Sequence, residues 1–313
     1  MRRLDEYRIA LRGMPNDAET WASIGYVQRR LGNWAAADSA YRRSVQLDPR
    51  NANTQEDLGA TTLQVQRRYP EAVRALDRAL ALAPDLTMAA VDKGYLYVIW
   101  KGDLDTLRAV LDALPADAEV GANYGTATTW RARLMLWERK GDSLLALVNA
   151  MRGGRLAEPP PYFQPSLFAA WAHRLRGDER AAQAAFVSAL KELAPEATTG
   201  RDDGLLVHSA RGLAMAGLGR KADALREARW LKESSVYRED HMVKDWAAEE
   251  RACILAQVGE VDEALDEIER ILAAPGWFSA YTFRLDPRWD SIRQHPRFRA
   301  LLVKYANPER PAR

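Results

Sequence analysis

Residues 18–51 read AETWASIGYVQRRLGNWAAADSAYRRSVQLDPRN. Trp21, Ile24 and Gly25 are followed at fixed distances by Ala37, Tyr41 and Pro49. Between them Gly32-Asn33 breaks the periodicity, so the stretch divides into two helical runs joined by a tight turn. Two amphipathic helices of this length cannot bury their apolar faces against each other alone. The unit needs neighbours of its own kind.

The same spacing recurs along the chain. Subtracting the unit length from Tyr41, Ser44 and Pro49 lands on Tyr7, Ala10 and Pro15, the second helix of a preceding unit. The second full unit starts near Ala52. Leu58-Gly59 repeats the earlier pair, and Ala72, Leu76, Ala79 and Pro84 each come one position late. An insertion within QVQRRYP accounts for the delay and sets Pro70 at a helix start, where its missing N–H costs little. The third unit, around KGYLYVIWKGDLDTLRAVLDAL, closes early at Pro115. The fourth runs from about Ala127, with Trp130 in the Trp slot, Trp137 in the Tyr slot, Gly141 at the turn and Ala146 at the helix crossing.

RGGRLAEPPPYFQP then interrupts the register, because consecutive prolines cannot continue a helix; residues 152–162 read as a connection between two blocks. A fifth unit starts near Phe163 (Ala170, Gly177, Ala182, Phe186, Ala189, Pro195), a sixth near Leu205 (Gly212, Gly219, Ala224) and a seventh near Asp245 (Ala252, Gly259, Ala264). In VDEALDEIERIL the apolar residues Val261, Ala264, Leu265, Ile268, Ile271 and Leu272 keep helical spacing, and the acids take the opposite face.

These slots resemble the tetratricopeptide (TPR) repeat. The resemblance implies an all-α, right-handed superhelical solenoid of about seven helix hairpins with an atypical C-terminal cap. The expected organisation is an N-terminal block 1–151 that starts mid-repeat, a connection 152–162, a second block 163–274, and a cap and tail 275–313. Leu285-Asp286-Pro287, Trp289-Asp290, Ile292-Arg293 and His295-Pro296-Arg297-Phe298 resemble the end of bacterial TPR-containing regulators, in which the array follows a Ser/Thr kinase, a winged-helix or a nucleotide-cyclase domain. Pro15-Asn16-Asp17 and the segment 24–30 resemble their early repeats. The missing first helix of the opening unit leads to the expectation that the chain is the C-terminal part of a longer regulator, or that its start codon is set too late.

Composition narrows the function classes. A chain of 313 residues with 47% apolar and 28% charged content has enough apolar material for a long repeat array. A net charge of +2 gives no general attraction to nucleic acid or anionic membrane. No run approaches the length of a membrane-spanning helix, and no signal peptide opens the chain. Cys253 is the only cysteine, so no internal disulfide is possible. The chain reads as cytoplasmic.

Chemistry is hard to place on this sequence. Gly217-Leu218-Gly219-Arg220-Lys221-Ala222 matches a relaxed dinucleotide fingerprint, yet a helix precedes it and Gly219 falls in phase with Gly32, Gly141, Gly177 and Gly259, which reads as a helix–helix turn. His173, His208, His241 and His295 show no metal spacing. His208 occupies a Trp slot and His295 precedes Pro296 at a turn. Cys253, between Ala252 and Ile254, has no activating base beside it. No enzymatic role, cofactor or metal is expected.

Family resemblance places binding on the first helices, which line a concave groove. Tyr26, Arg29, Arg30, Arg131, Met135, Arg139, Trp171 and Arg174 are the inward candidates. Their arginines and aromatics would suit a protein or acidic peptide partner through bidentate hydrogen bonds and stacking. Ala22 and Tyr26 stand where chaperone-tail binders carry Lys and Asn, which argues against that ligand. The expected function is an interaction scaffold or sensory module; the alternative is the non-catalytic part of a signalling enzyme or transcriptional regulator. Oligomeric state is not legible.

Overall fold

The structure is a computed structural model that describes residues 2–120, 126–152, 164–193, 203–234 and 238–306. The Pro-rich connection 152–162, apart from Arg152, lies outside the described residues, as do Phe163 and Pro195.

Among the described residues the chain is helical, with one isolated bridge between Glu119 and Thr126 and no strand. Helix α1 (Arg2–Gly13) packs on the first complete hairpin, α2 (Ala18–Arg30) and α3 (Trp34–Leu47). Then follow α4 (Ala52–Leu58) with α5 (Tyr69–Leu82), α6 (Thr87–Lys101) with α7 (Leu104–Ala113), and α8 (Ala127–Trp137) with α9 (Gly141–Arg152). The later hairpins are α10 (Pro165–Leu175) with α11 (Glu179–Glu192), α12 (Asp203–Gly217) with α13 (Lys221–Glu233), and α14 (Lys244–Gln257) with α15 (Val261–Ala273). The cap comprises α16 (Ala280–Leu285), a 3-10 turn (Pro287–Trp289) and α17 (Pro296–Lys304).

Local chemistry sets the ends of these helices. Asp17, Asn51, Asp103 and Asp178 accept backbone N–H bonds as N-caps of α2, α4, α7 and α11. Pro70, Pro165 and Pro296 occupy first turns, where no N–H is missed. Within the first hairpin Gly25 lets two helices approach closely: a Cβ there would lie 2.8 Å from the buried ring of Tyr41.

The one-residue delay of the second unit has a different seat from the expected one. It is absorbed by a π-helical turn, Gly59–Leu63, continuing α4, with Gln64 N–H bonding Gly59 O at 3.0 Å. A single wide turn takes up one extra residue without ending the helix.

The turns inside the hairpins are left-handed at one residue each: Gly32, Arg67, Gly102, Arg139, Gly177, Gly219 and Gly259. In the fourth hairpin that residue is Arg139, and Gly141 instead opens α9. Gly219 ends the α12–α13 turn of an all-helical unit, which removes the dinucleotide reading.

The concave face does not stay open from end to end. The turns of the first four hairpins meet the segment around 240–290. His241 N–H bonds Arg30 O at 2.8 Å, and Arg30 pairs with Asp240. Arg67 donates to Leu272 O at 2.7 Å and Ala274 O at 2.9 Å, and Gly276 N–H bonds Val65 O at 3.1 Å. Gly102 abuts the ring of Tyr281, and Arg139 grips Asp290 through two bonds of 2.7 Å. Val65 is buried in the same apolar cluster as the C-terminal hairpins. The array thus completes a turn and its late segments seat on its early ones.

Candidate functional site

The first helices of successive hairpins converge, with the cap, on one recess of about 480 Å3. Its lining comes from α2 (Tyr26, Arg29, Arg30), α4 (Glu56, Asp57), α6 (Tyr95), α8 (Trp130, Arg133, Trp137), α10 (Phe168, Trp171), α12 (Leu213), α14 (Trp246, Glu249, Glu250) and the cap (Phe283, Arg288, Trp289). Aromatic rings dominate. Tyr95 and Trp130 lie 5.4 Å apart, Phe168 and Trp171 meet edge to face at 5.1 Å, and Trp246 meets Phe278 the same way at 5.1 Å. The Tyr95 hydroxyl bonds Trp277 O at 3.0 Å, which ties α6 to the cap.

Charge is arranged in two clusters. At the cap end, the buried Arg288 guanidinium donates to Asp286 at 2.9 Å, Glu249 at 2.7 Å and Glu250 at 3.2 Å, and lies 5.4 Å over Trp171. Burial works against that charge; the three carboxylates more than offset it and hold the guanidinium firmly protonated. At the opposite end Arg29 donates to Asp57 at 2.6 Å and to the Thr61 hydroxyl, and stacks 4.6 Å from the Tyr26 ring. Behind it the buried Glu56 and Asp92 side chains hydrogen-bond each other.

Of the residues singled out from sequence, Tyr26, Arg29, Arg30 and Trp171 line this recess. The other three arginines are engaged elsewhere. Arg131 caps the end of α7 through Leu111 O and Leu114 O at 2.6 Å for the latter. Arg139 holds Asp290. Arg174 bonds Gly217 O at 3.1 Å and stacks over Phe186 at 4.7 Å. His208 stacks on Trp230 at 3.6 Å and contacts Glu227, His295 is the N-cap residue of α17, and Cys253 is fully buried.

Sequence reading missed Arg133, Trp246 and Arg288. A usable signal existed. Counting back six positions from the seven left-handed turn residues gives Tyr26, Thr61, Leu96, Arg133, Trp171, Leu213 and Cys253, of which all but Leu96 and Cys253 line the recess. Counting forward from the start of the fourth unit, near Ala127, instead selected Arg131, Met135 and Arg139.

No protein-family profile matches the chain, and no curated protein matches it by sequence. Solved structures do. A tetratricopeptide repeat protein from Parabacteroides merdae aligns over 91% of this chain and 97% of its own, with a TM-score of 0.50 at 14% identity. The chain has the fold of a tetratricopeptide-repeat solenoid. PilW, a type IV pilus biogenesis factor, aligns over 69% of the solenoid and 92% of its own chain at 17% identity, with a TM-score of 0.48. These identities speak for the fold alone. Among the described residues of the solenoid no group of His, Cys, Asp and Glu is placed to hold a metal ion, and no helix is long and apolar enough to cross a membrane.

Proposed function

We propose that the solenoid is a protein-interaction scaffold of sensory or regulatory kind, and that a partner segment enters at the α2 edge of the recess. The observation that supports this is Tyr26. It lines the recess, keeps 40% of its surface exposed, and carries guanidinium groups at 4.6 Å (Arg29) and 5.0 Å (Arg30). A large ring held in place with an open face is the kind of anchor that interfaces use. Arg29 and Arg30 are already paired with Asp57 and Asp240, so they position the ring and line the edge.

Quantitative affinity capture tests the reading. The wild-type chain and Arg299→Gln, altered at an exposed position on α17, are expected to enrich the same partner. Tyr26→Ala is expected to lose it by tenfold or more, on the order of an anchor residue's contribution. Equal capture by Tyr26→Ala would contradict the proposal.

A further inference from the structure

Deeper in the recess one guanidinium has no carboxylate in contact. Among the described residues Arg133 makes no ion pair and no hydrogen bond, although it stands on an inner helix between aromatic faces. Its guanidinium lies 5.5 Å over Trp130 and 5.0 Å over Trp246. The contrast with its neighbours is sharp: Arg288 has three carboxylates and Arg29 has Asp57. Two further donors in the same lining lack acceptors. The indole N–H groups of Trp130, 4% exposed, and Trp171, 8% exposed, are buried without a partner. Buried donors in native proteins are almost always satisfied, and a guanidinium fork matches a carboxylate.

We propose that the interior of this recess binds a small aromatic carboxylate, with its carboxylate on Arg133 and its ring against Trp130 and Trp246. Arg133 is the guanidinium of the lining that no carboxylate contacts, Glu249 acting on it only at longer range, so the ligand supplies the contacting anion. The walls are aromatic, so its body is flat and apolar. The volume of about 480 Å3 falls within the range of small-molecule sites. The buried Glu250 Oε2, which has no donor, offers a place for an N–H or O–H on the same ligand. This site is separate from the Tyr26 edge, and either can fail while the other holds.

Ligand-observed NMR with 3-phenylpropionate, indole-3-propionate and 2-naphthoate, each paired with its neutral amide, tests the proposal. At least one acid is expected to bind the wild-type chain tenfold or more tighter than its amide. That acid should also shift the indole N–H resonances of Trp130 and Trp171 in the 15N-labelled protein. Arg133→Gln should abolish the preference, and Arg299→Gln should keep it. The indole shifts are read on the unaltered protein, so the test survives a poorly folded Arg133 variant. No acid favoured over its amide, or a preference that persists in a folded Arg133→Gln, would overturn the site. Tighter binding by a hexapeptide ending in Phe would overturn the small-molecule reading in favour of a peptide terminus.

Discussion

Glu56 on α4 and Asp92 on α6 are both buried, and their side chains hydrogen-bond each other. Two carboxylates cannot share that contact while both are charged, so one proton is held between them. Burial holds Glu56 well above the usual carboxylate range and pushes Asp92 up to about 7, and the charge of Asp57 acts in the same direction. An acid raised on folding stabilises the fold fully below its unfolded value, and that contribution is lost as pH rises through the folded value. Between pH 5.5 and pH 8.5 the wild-type Tm should therefore fall. Asp92→Asn keeps the hydrogen bond without the second charge and should flatten that fall; circular dichroism melts at the two pH values measure it. Parallel losses in both proteins would count against a shared proton. Nothing in the sequence marked this pair, because Glu56 and Asp92 lie on different repeats and each looks like an ordinary helical acid. Tyr26 and Trp171 were legible by contrast, since repeat phase alone brings them inward.

At the level of elements, the turn residues decide how the early hairpins meet the cap. Glycine takes the left-handed position in the other five turns, with Gly32 and Gly102 also close against His241 and Tyr281, but Arg67 and Arg139 take it at 61° and 58°. For a non-glycine residue that conformation costs about 1–2 kcal/mol. Each arginine recovers the cost by reaching across the molecule: Arg67 to two backbone carbonyls and Arg139 to Asp290. Arg67→Ala keeps the strained backbone and loses both buried bonds, so it should destabilise by about 3 kcal/mol in urea unfolding. Arg67→Gly relieves the strain and should fall about 1 kcal/mol short of that loss. A change below about 0.5 kcal/mol, the range of surface substitutions, would show that the contact is not stabilising. The π-turn at Gly59–Leu63 belongs to the same device, since it sets the register in which Val65 and Arg67 meet residues 272–276. Helix pairing itself was readable from period and turn residues. The π-turn was not, because an inserted residue shifts the downstream phase equally whether it sits in a helix or in the following turn. The fourth hairpin shows the same limit: Gly141 drew the turn two residues too late because an arginine filled the glycine position.

For the whole molecule, the consequence is that a repeat array behaves as one closed body. Open solenoids contact only their nearest neighbours along the chain. Here contacts span from Arg30 to Asp240 and from Arg139 to Asp290, and they leave the aromatic recess on the inside. This closure was outside the reach of repeat spacing, which describes each unit and its neighbour but not where a superhelix returns. It rests on side chains at turn positions and on the tail from Leu285 to Phe298, whose Trp289, Ile292 and Phe298 are buried against the last hairpin and the chamber wall. Small-angle X-ray scattering tests this closure most directly. A compact chain of this length should give a radius of gyration of about 20 Å, and an unclosed array, on the order of 25–30 Å with a scattering profile typical of an extended superhelix, would contradict the account.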